Sequence, residues 1–363
     1  MVTLKDVARR AGVSVITVSR VVNASGYVHP ETRARVQAAI DELRYVPNQM
    51  ASNLRSRQSD TVALLLPSIT NSFWTTTARG VEDEAWARGY GMFLCNTDDD
   101  LAKEERYVDI LLRRRVEGVL LVPTLGSEPL LDRLRQRRIK FVLLHRQLAG
   151  VEADIIRGDS RGGARALTER LLAAGFRRIA YVGGPPTLML ARDRLAGYRE
   201  AMAAAGVVVD PALVVSGEGY GQQIGERLVA GLLARTLRPE AVLLANSRLA
   251  IGGLHAIARA GLRVPADIAV AAFYDISALD DYSPLMVTAI QPAYDIGRLG
   301  ARRLFELAAD GDGAPVEIVL ANRVTVPPSW PDGAVGPEFD LRATAVVAGG
   351  RPAATAESDG TPR

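Results

Sequence analysis

A short stretch near the N-terminus, residues 3–23, reads TLKDVARRAGVSVITVSRVVN. Thr3 offers a hydroxyl cap before an acidic first turn, and the helix that follows ends at Gly12. Ser14 can cap a second helix, which carries Val18 on its apolar face. A small residue on the first helix, a glycine in the turn and a β-branched residue on the second allow a close, steep crossing. The stretch therefore predicts a helix-turn-helix unit.

The residues after this unit complete a small basic head. Pro30 suits the first turn of a third helix, on which Val36 and Ile40 belong to the apolar stripe. Residues 1–59 carry nine Lys or Arg and four Asp or Glu, whereas the rest of the 363-residue chain has a net charge of −2. A small basic unit on a near-neutral body indicates a nucleic-acid-binding head.

The pattern changes at Thr61, where apolar strand-like runs begin to alternate with amphipathic helical stretches. Continuous apolar strands between helices predict parallel sheets that are covered on both faces. Because about 270 residues of this pattern exceed one open sheet, we expect two stacked α/β lobes with a ligand cleft at the carboxyl ends of their strands. The predicted strands are Val62–Leu66, Gly91–Cys95, Gly118–Val122, Phe141–Leu144, Ile179–Gly183, Ala241–Ala245 and Ile268–Phe273.

The composition excludes several classes of protein. Hydrophobic residues make up 48% and charged residues 23% of the chain, which is the balance of a globular protein and not of a disordered or collagen-like one. The single cysteine, Cys95, cannot form an intrachain disulfide, and no apolar run approaches the ~20 residues of a membrane helix. Since the N-terminus has no apolar signal region, we expect a soluble cytoplasmic protein.

The sequence also lacks the usual patterns of catalysis and metal binding. There is no nucleophile elbow, no Walker loop, and no Cys/His/carboxylate cluster with metal-ligand spacing. Gly217–Gly219 hints at a dinucleotide loop, but Gln222 stands at the third glycine position. Asp98–Asp100 fits an acid-capped strand-to-helix turn better than a cation site. We therefore expect no enzyme activity, no metal and no cofactor.

The head motif resembles that of the LacI/GalR family of bacterial transcription regulators. The likeness continues to about residue 330, through segments such as Asn71–Trp74 and Arg194–Tyr198. It implies a homodimer whose heads bind operator DNA, and a periplasmic-binding-protein-like core that senses a small-molecule effector. The predicted domains are a helix-turn-helix head at 1–45, a hinge helix and linker at 46–59, a two-lobed effector-binding and dimerisation core at 60–330, and a disordered tail at 331–363.

The resemblance assigns DNA contacts to the head and the linker. Val15 and Ile16 match the positions that read base edges, and as apolar residues they can touch thymine methyl groups but cannot make bidentate hydrogen bonds. Leu54 matches the leucine that wedges a base step when the hinge helix enters the minor groove. Alternatively, Val15 and Ile16 pack inside the head, and Leu54 packs on the core. The predicted DNA-binding residues are Thr3, Ser14, Val15, Ile16, Thr17, Ser19, Arg20, Asn23, Asn48, Ala51 and Leu54.

The resemblance also assigns effector contacts in the core. Aromatic faces suit the apolar faces of a sugar ring, and arginine suits its hydroxyl groups or an acid group. Alternatively, Phe73 and Trp74 are only core residues, and Arg194 makes a structural salt bridge. The predicted effector-binding residues are Phe73, Trp74, His145, Arg146, Arg194, Tyr220, Asn246, Ser247 and Asp275.

Two of these positions depart from the family pattern, because His145 and Ser247 stand where the family often carries aspartate. Without those carboxylates, Arg146 and Arg194 have fewer compensating charges in the cleft, which is costly unless an anion arrives. We therefore expect an anionic or acid-substituted sugar-like effector in preference to a neutral sugar. The expectation fails if other carboxylates neutralise the arginines, and the candidates are Glu218 and Asp275.

These observations predict a sequence-specific DNA-binding transcriptional regulator, a repressor that is relieved when a small sugar-like ligand closes the cleft. A ligand that favours the DNA-bound state would make it a corepressor system instead. A sugar-binding receptor would need a secretory signal and no head, and an α/β enzyme with a fused head would need a nucleophile–base pair or a cofactor loop. Because residues 331–363 contain a single leucine, Leu341, they cannot form the leucine heptads of a tetramer, which favours a homodimer.

Overall fold

The structure is a computed structural model. It describes residues 2–23, 25–45, 59–274, 285–310, 313–327 and 330, together with the backbone of 344–346. The chain separates into two compact units, Met1–Ser59 and Asp60–Arg363. Four residues of the predicted sites, Asn48, Ala51, Leu54 and Asp275, lie outside the described residues.

The described part of the first unit forms the three predicted helices, α1 (Leu4–Ala11), α2 (Val15–Val22) and α3 (Pro30–Glu42). Thr3 and Asp6 form a capping box before α1, and Gly12 ends the helix in the left-handed region at φ 65°. Ser14 caps α2 by accepting a hydrogen bond from the Thr17 amide at 3.1 Å. These local signals confirm the predicted helix-turn-helix. A small core holds the helices together: Val7, Ala8, Ala11, Val18, Val21, Val28, Val36, Ala39 and Tyr45.

The described part of the second unit forms two sheets. The first has the order β13-β11-β5-β4-β3-β1-β2, and the second has the order β12-β10-β9-β8-β6-β7. All neighbouring strands are parallel except β11 with β13 and β10 with β12. The strands are β1 (Thr61–Leu66), β2 (Gly91–Asn96), β3 (Gly118–Leu121), β4 (Lys140–Leu144), β5 (Ile155–Gly158), β6 (Ile179–Gly183), β7 (Val214–Ser216), β8 (Ala241–Leu244), β9 (Ala269–Tyr274), β10 (Val287–Ile290), β11 (Glu317–Leu320), β12 (Arg323–Thr325) and β13 (Thr344–Val346).

Helices cover the two sheets and create two lobes. They are α4 (Ser72–Trp86), α5 (Leu101–Arg114), α6 (Glu128–Gln136), α7 (Ser160–Ala173), α8 (Met189–Ala204), α9 (Gln222–Leu233), α10 (Ser247–Arg259) and α11 (Ala293–Asp310). Glycines allow close helix pairs on these faces. At Gly80 of α4, an added Cβ would lie 2.1 Å from the carbonyl oxygen of Tyr294 on α11. The predicted pair of α/β lobes is thus confirmed.

All seven predicted strands are present, with ends that differ by at most one residue. The sequence analysis missed β5, β7 and β10 to β13, each only three or four residues long, because such short runs carry no clear period. The strand at 344–346 also departs from the expectation of disorder throughout 331–363. It pairs with β11, whose edge would otherwise present unpaired backbone groups.

The chain crosses between the lobes near Asp159, Gln291 and Asn322, where it leaves a strand of one sheet for the other lobe. Two of these crossings are bonded to each other. The Asn322 side chain donates to the Asp159 carbonyl oxygen at 2.6 Å, and the Asp159 amide donates to the Leu320 carbonyl oxygen at 2.8 Å. The lobes are therefore joined by narrow segments beside the cleft, which is the geometry of a hinge.

Candidate functional site

The exposed face of α2 carries the residues predicted to read bases. The side chain of Ile16 is 68% exposed and that of Val15 is 40% exposed, whereas Val18 and Val21 are buried in the core of the head. The alternative in which Val15 and Ile16 pack inside the head is therefore wrong. Both residues lie on the first turn of the helix, which is the part of a recognition helix that reaches base edges in the major groove.

Polar groups surround this turn. The hydroxyl groups of Ser14 and Thr17 lie 2.9 Å apart, and Arg20 is exposed one turn later. The positive end of the α2 dipole lies at the same point, so the turn suits a phosphate group. Thr3 differs from the other predicted contacts, because its hydroxyl already donates to Asp6 at 2.7 Å within the capping box.

A cavity of about 460 Å³ lies between the two lobes of the second unit, at the carboxyl ends of their strands. Eight of the nine predicted effector contacts line it, and the ninth, Asp275, lies outside the described residues. The cavity is thus where open parallel sheets bind ligands. The predicted residues on its wall are Phe73, Trp74, His145, Arg146, Arg194, Tyr220, Asn246 and Ser247.

Three aromatic rings form one wall. Phe73 and Trp74 lie on the first turn of α4, where Asn71 accepts a hydrogen bond from the Phe73 amide at 3.0 Å. The ring centroid of His145 lies 4.8 Å from that of Phe73 and 5.4 Å from that of Trp74. Phe73 and Trp74 also belong to the core of their lobe, so the core and cavity interpretations hold together.

His145 is buried at the end of β4 in an unusual backbone conformation. Its φ is 63°, and its amide donates to the Ile156 carbonyl oxygen at 2.8 Å. Burial holds the pKa of His145 well below its usual range, and the nearby guanidinium groups of Arg194, Arg146 and Arg157 lower it further. The imidazole is therefore neutral near pH 7 and offers one hydrogen-bond donor and one acceptor.

This shifted pKa gives a stability prediction. Between pH 6.5 and the lower pKa of folded His145, the unfolded chain binds a proton that the folded chain does not. Its contribution to the free energy of unfolding is therefore lost as the pH falls below about 6.5, by up to ~1.4 kcal/mol per pH unit. His145→Gln should remove this part of the slope in urea unfolding between about pH 7 and pH 5. His29→Gln, at an exposed position, is the matched control. Equal slopes for the parent protein and His145→Gln would contradict the prediction.

The charge expectation for the cavity needs a correction. Arg146 forms an ion pair with Asp99, in which Nη1 contacts one carboxylate oxygen and Nη2 lies 3.3 Å from the other. The premise that Arg146 lacks a compensating charge is therefore wrong. The acids at 98–100 do form the predicted capped turn, since Asp100 accepts from the Ala102 amide at 2.9 Å. The same turn also brings Asp99 to an arginine 47 positions further along the chain.

The other acids beside the cavity are also paired. Glu218 accepts from Arg227 at 2.7 Å, so it is not the group that neutralises Arg146. Asp98 accepts from Lys103 at 2.5 Å and from the Asn96 side chain at 2.7 Å. Each of these three carboxylates thus has its own basic partner, and two of the partners are lysine or arginine residues outside the cavity wall.

Arg194 is buried, with 2% of its surface exposed, and links the second lobe to a crossing segment. It donates to the Ala245 carbonyl oxygen and, at 3.2 Å, to the side-chain oxygen of Gln291. Its guanidinium carbon lies 3.9 Å from the ring centroid of Phe273, a cation–π contact. A ligand that touches Arg194 would therefore act on the joint between the lobes.

The remaining predicted residues divide into structural and available groups. Asn246 caps α10 by accepting from the Leu249 amide at 2.8 Å, and its amide nitrogen donates to the Tyr220 carbonyl oxygen at 3.4 Å. Ser247 follows as the first residue of α10. The Tyr220 ring packs over Gly184, where an added Cβ would lie 2.3 Å from the ring. Burial raises the pKa of the Tyr220 hydroxyl, which keeps it a neutral donor and acceptor.

Within the described residues, several buried polar atoms at the cavity have no hydrogen-bond partner in the protein. Such atoms are costly unless a ligand or water satisfies them. They come from both lobes and are Thr124 Oγ1, His145 Nδ1, Arg146 Nε and Tyr220 Oη.

Sequence reasoning missed four residues of the cavity wall. Asp99 and Thr124 follow strands directly, and that position alone could have identified them. Gln291 follows β10, a strand that was not predicted, and Phe273 lies inside a predicted strand. Among the described residues, no group of His, Cys, Asp and Glu is arranged to hold a metal ion. No helix in the described ranges is both long and apolar enough to span a membrane.

Comparison with known proteins identifies both units. Residues 3–48 match the model of the bacterial regulatory proteins of the lacI family, and residues 168–327 match a periplasmic binding protein-like domain. The chain is 36% identical to the ribose operon repressor of Escherichia coli (strain K12) over 328 residues, which cover 90% of this chain and 94% of that protein.

Two solved structures support the same assignment. The lac repressor dimer bound to operator and the anti-inducer ONPF matches with a TM-score of 0.81 and 27% identity, over 90% of this chain and 98% of that one. The transcriptional regulator CelR in complex with cellobiose matches with a TM-score of 0.68 and 33% identity, over 90% of this chain and 99% of that one. The chain therefore belongs to the lacI family of bacterial regulatory proteins and is a DNA-binding transcriptional regulator.

Proposed function

We propose that the chain is a transcriptional repressor whose affinity for its operator is controlled by a small, uncharged, sugar-like effector in the cleft. The observation that carries the proposal is the cavity between the lobes, with an aromatic wall and buried polar atoms that lack protein partners. The ribose operon repressor and the cellobiose complex of CelR are relatives whose names carry sugars. A regulator of operator DNA acts where the chromosome is, so we propose the cytoplasm as its location.

Control of DNA binding follows from linkage between the two sites. A ligand that contacts His145 in the first lobe and Tyr220 or Arg194 in the second stabilises one arrangement of the lobes over others. If the head binds operator best in a different arrangement, effector and operator weaken each other's binding by the same factor. Arg194 is placed to transmit the change, because it contacts both the cavity and the crossing segment at Gln291.

The DNA-binding surface is proposed to centre on α2. Val15 and Ile16 would touch thymine methyl groups, while Ser14, Thr17 and Arg20 would contact the phosphate backbone. Ser19 and Asn23, bonded to each other at 3.2 Å, extend this face. The linker residues Asn48, Ala51 and Leu54 remain part of the proposal through the family resemblance.

We propose that the active form is a homodimer that reads a near-palindromic operator. The strand β2 is an edge strand, and its Phe93 and Leu94 side chains are 38% and 46% exposed. An exposed apolar edge strand is an aggregation hazard unless a specific partner covers it. A second copy of this chain covering the edge would remove the hazard and bring two heads to one duplex.

The test begins with the full-length protein and a pool of randomised DNA duplexes, from which the bound sequences are recovered. Binding of the recovered duplex is then measured by gel shift while d-ribose, d-glucose or cellobiose is added. We expect at least one neutral sugar to weaken operator binding by about fivefold to 150-fold, the usual range of coupling between two sites. A sugar that strengthens binding would identify a corepressor system. Failure to recover any preferred duplex would contradict the proposed function itself.

A further inference from the structure

We propose that His145 sets the specificity of the cleft, because its imidazole accepts a hydrogen bond from a hydroxyl group of an uncharged sugar. The inference rests on the proposed function and names the chemical class of its effector. It concerns a position where the resemblance leads one to expect an aspartate, so the consequence belongs to this chain.

The first step of the argument is that the imidazole is held in place. Its backbone is bonded to Ile156 at 2.8 Å, and the Trp74 ring meets it edge-on at an interplanar angle of 84°. Phe73 packs against it at a centroid distance of 4.8 Å. A side chain confined in this way cannot turn to water, and its Nδ1 atom has no partner in the described part of the protein. A ligand group in the cavity can remove that cost.

The second step concerns charge. Asp99 already pairs with Arg146, and Arg194 already donates to the Ala245 carbonyl oxygen and to Gln291. An acid group entering the cleft would therefore lose its water without gaining an arginine that lacks other contacts, and it would approach Asp99. Since its pKa is lowered, His145 adds no positive charge to attract an anion.

The third step concerns the atoms that remain to be satisfied. Thr124 Oγ1 and Tyr220 Oη are hydroxyl oxygens, and the neutral imidazole has one donor and one acceptor. All three groups are uncharged and pair well with hydroxyl groups. The neighbouring rings of Phe73 and Trp74 suit the C–H face of a sugar ring. Ligand hydroxyls on an apolar ring satisfy both requirements at once.

The experiment is isothermal titration of the full-length protein with d-ribose, d-glucose and cellobiose, and with d-ribonate, d-gluconate and ribose 5-phosphate. We expect a neutral sugar to bind and the acids to bind at least ~10-fold more weakly. His145→Phe keeps a ring but removes the acceptor, so it should weaken binding of that sugar ~10-fold or more. His145→Gln keeps a donor and an acceptor and should stay within about threefold of the parent. His29→Phe, in the head, is the control.

A second measurement keeps the test valid if His145→Phe folds poorly. The neutral sugar that binds is replaced by its monodeoxy derivatives, each of which lacks one hydroxyl group. One derivative should lose ~10-fold in affinity for the parent protein, and the same derivative should lose nothing further on His145→Phe, because the partner is already gone. If no derivative behaves in this way, or if His145→Phe binds the sugar as tightly as the parent, His145 does not read a hydroxyl group and the inference is wrong.

The remaining outcomes separate this inference from the proposed function. If only the acids or the sugar phosphate bind and release the operator, the effector-controlled repressor stands and the uncharged-ligand inference falls. If none of the six compounds binds while the protein retains its preferred duplex, the proposal of a sugar-like effector falls, and this inference falls with it.

Discussion

Raising the salt concentration from about 50 mM to about 200 mM is expected to weaken operator binding roughly 10³-fold. Each phosphate that the protein neutralises releases counterions, so the logarithm of affinity falls with the logarithm of salt by about 0.9 per phosphate. If two heads together neutralise about six phosphates, the slope is about −5. The expectation rests on the basic head and on the exposed first turn of α2, with Ser14, Thr17 and Arg20 around it.

The contribution of Arg20 can be separated from the total. Arg20→Ala should reduce the steepness of the salt slope by about two in a dimer, one phosphate contact for each head. Arg165→Ala is the matched control, because Arg165 is an exposed arginine on α7 of the core that pairs with Glu169 at 2.7 Å. Fluorescence anisotropy with the recovered duplex measures both slopes. Operator binding that is insensitive to salt would contradict a phosphate-contacting head.

Replacing Arg194 by methionine is expected to lower effector affinity by at least ~100-fold, or about 2.7 kcal/mol, while operator binding without effector stays within about threefold. The guanidinium group donates to Ala245 and Gln291 and lies over the Phe273 ring, so its loss removes both a cavity-lining cation and a link between the lobes. Methionine retains the unbranched stem that packs on Phe273. The operator complex of Arg194→Met should therefore no longer be released by sugar.

The neighbouring residue supplies the control for this variant. Arg192 lies on the same helix, is exposed, and donates to the Thr187 carbonyl oxygen at 2.9 Å. Arg192→Met should leave both effector affinity and release from the operator unchanged. Titration calorimetry gives the effector affinity, and thermal unfolding shows whether each variant is folded. A folded Arg194→Met protein that binds the sugar as the parent does would show that Arg194 has only a structural role.

Much of this fold could be predicted because its signals are local. The capping groups of Thr3 and Ser14 and the turn at Gly12 act within four residues of each helix end. The long apolar strands and the amphipathic helices that cover them likewise show their period within one element. The strands of three or four residues escaped prediction, since their pairing with distant strands, and not their own pattern, makes them strands.

The location of the cavity was also within reach of the sequence. Residues that follow parallel strands meet at one edge of a sheet, and Trp74, His145, Tyr220 and Asn246 all lie after such strands or at the start of the next helix. The resemblance supplied the same positions. What these positions do with their charges was a different matter, and there the sequence analysis failed for Arg146.

The sequence by itself determined the helix-turn-helix head, the two α/β lobes and the residues around the cleft, since capping and hydrophobic period depend on near neighbours. The tertiary structure alone decided the electrostatics of the cleft. Asp99 reaches Arg146 from a different strand-to-helix turn, Arg194 binds a carbonyl group 51 positions away, and three arginines from separate elements keep His145 neutral. Charge interactions and desolvation depend on distance and burial in space, which no spacing along the chain reveals.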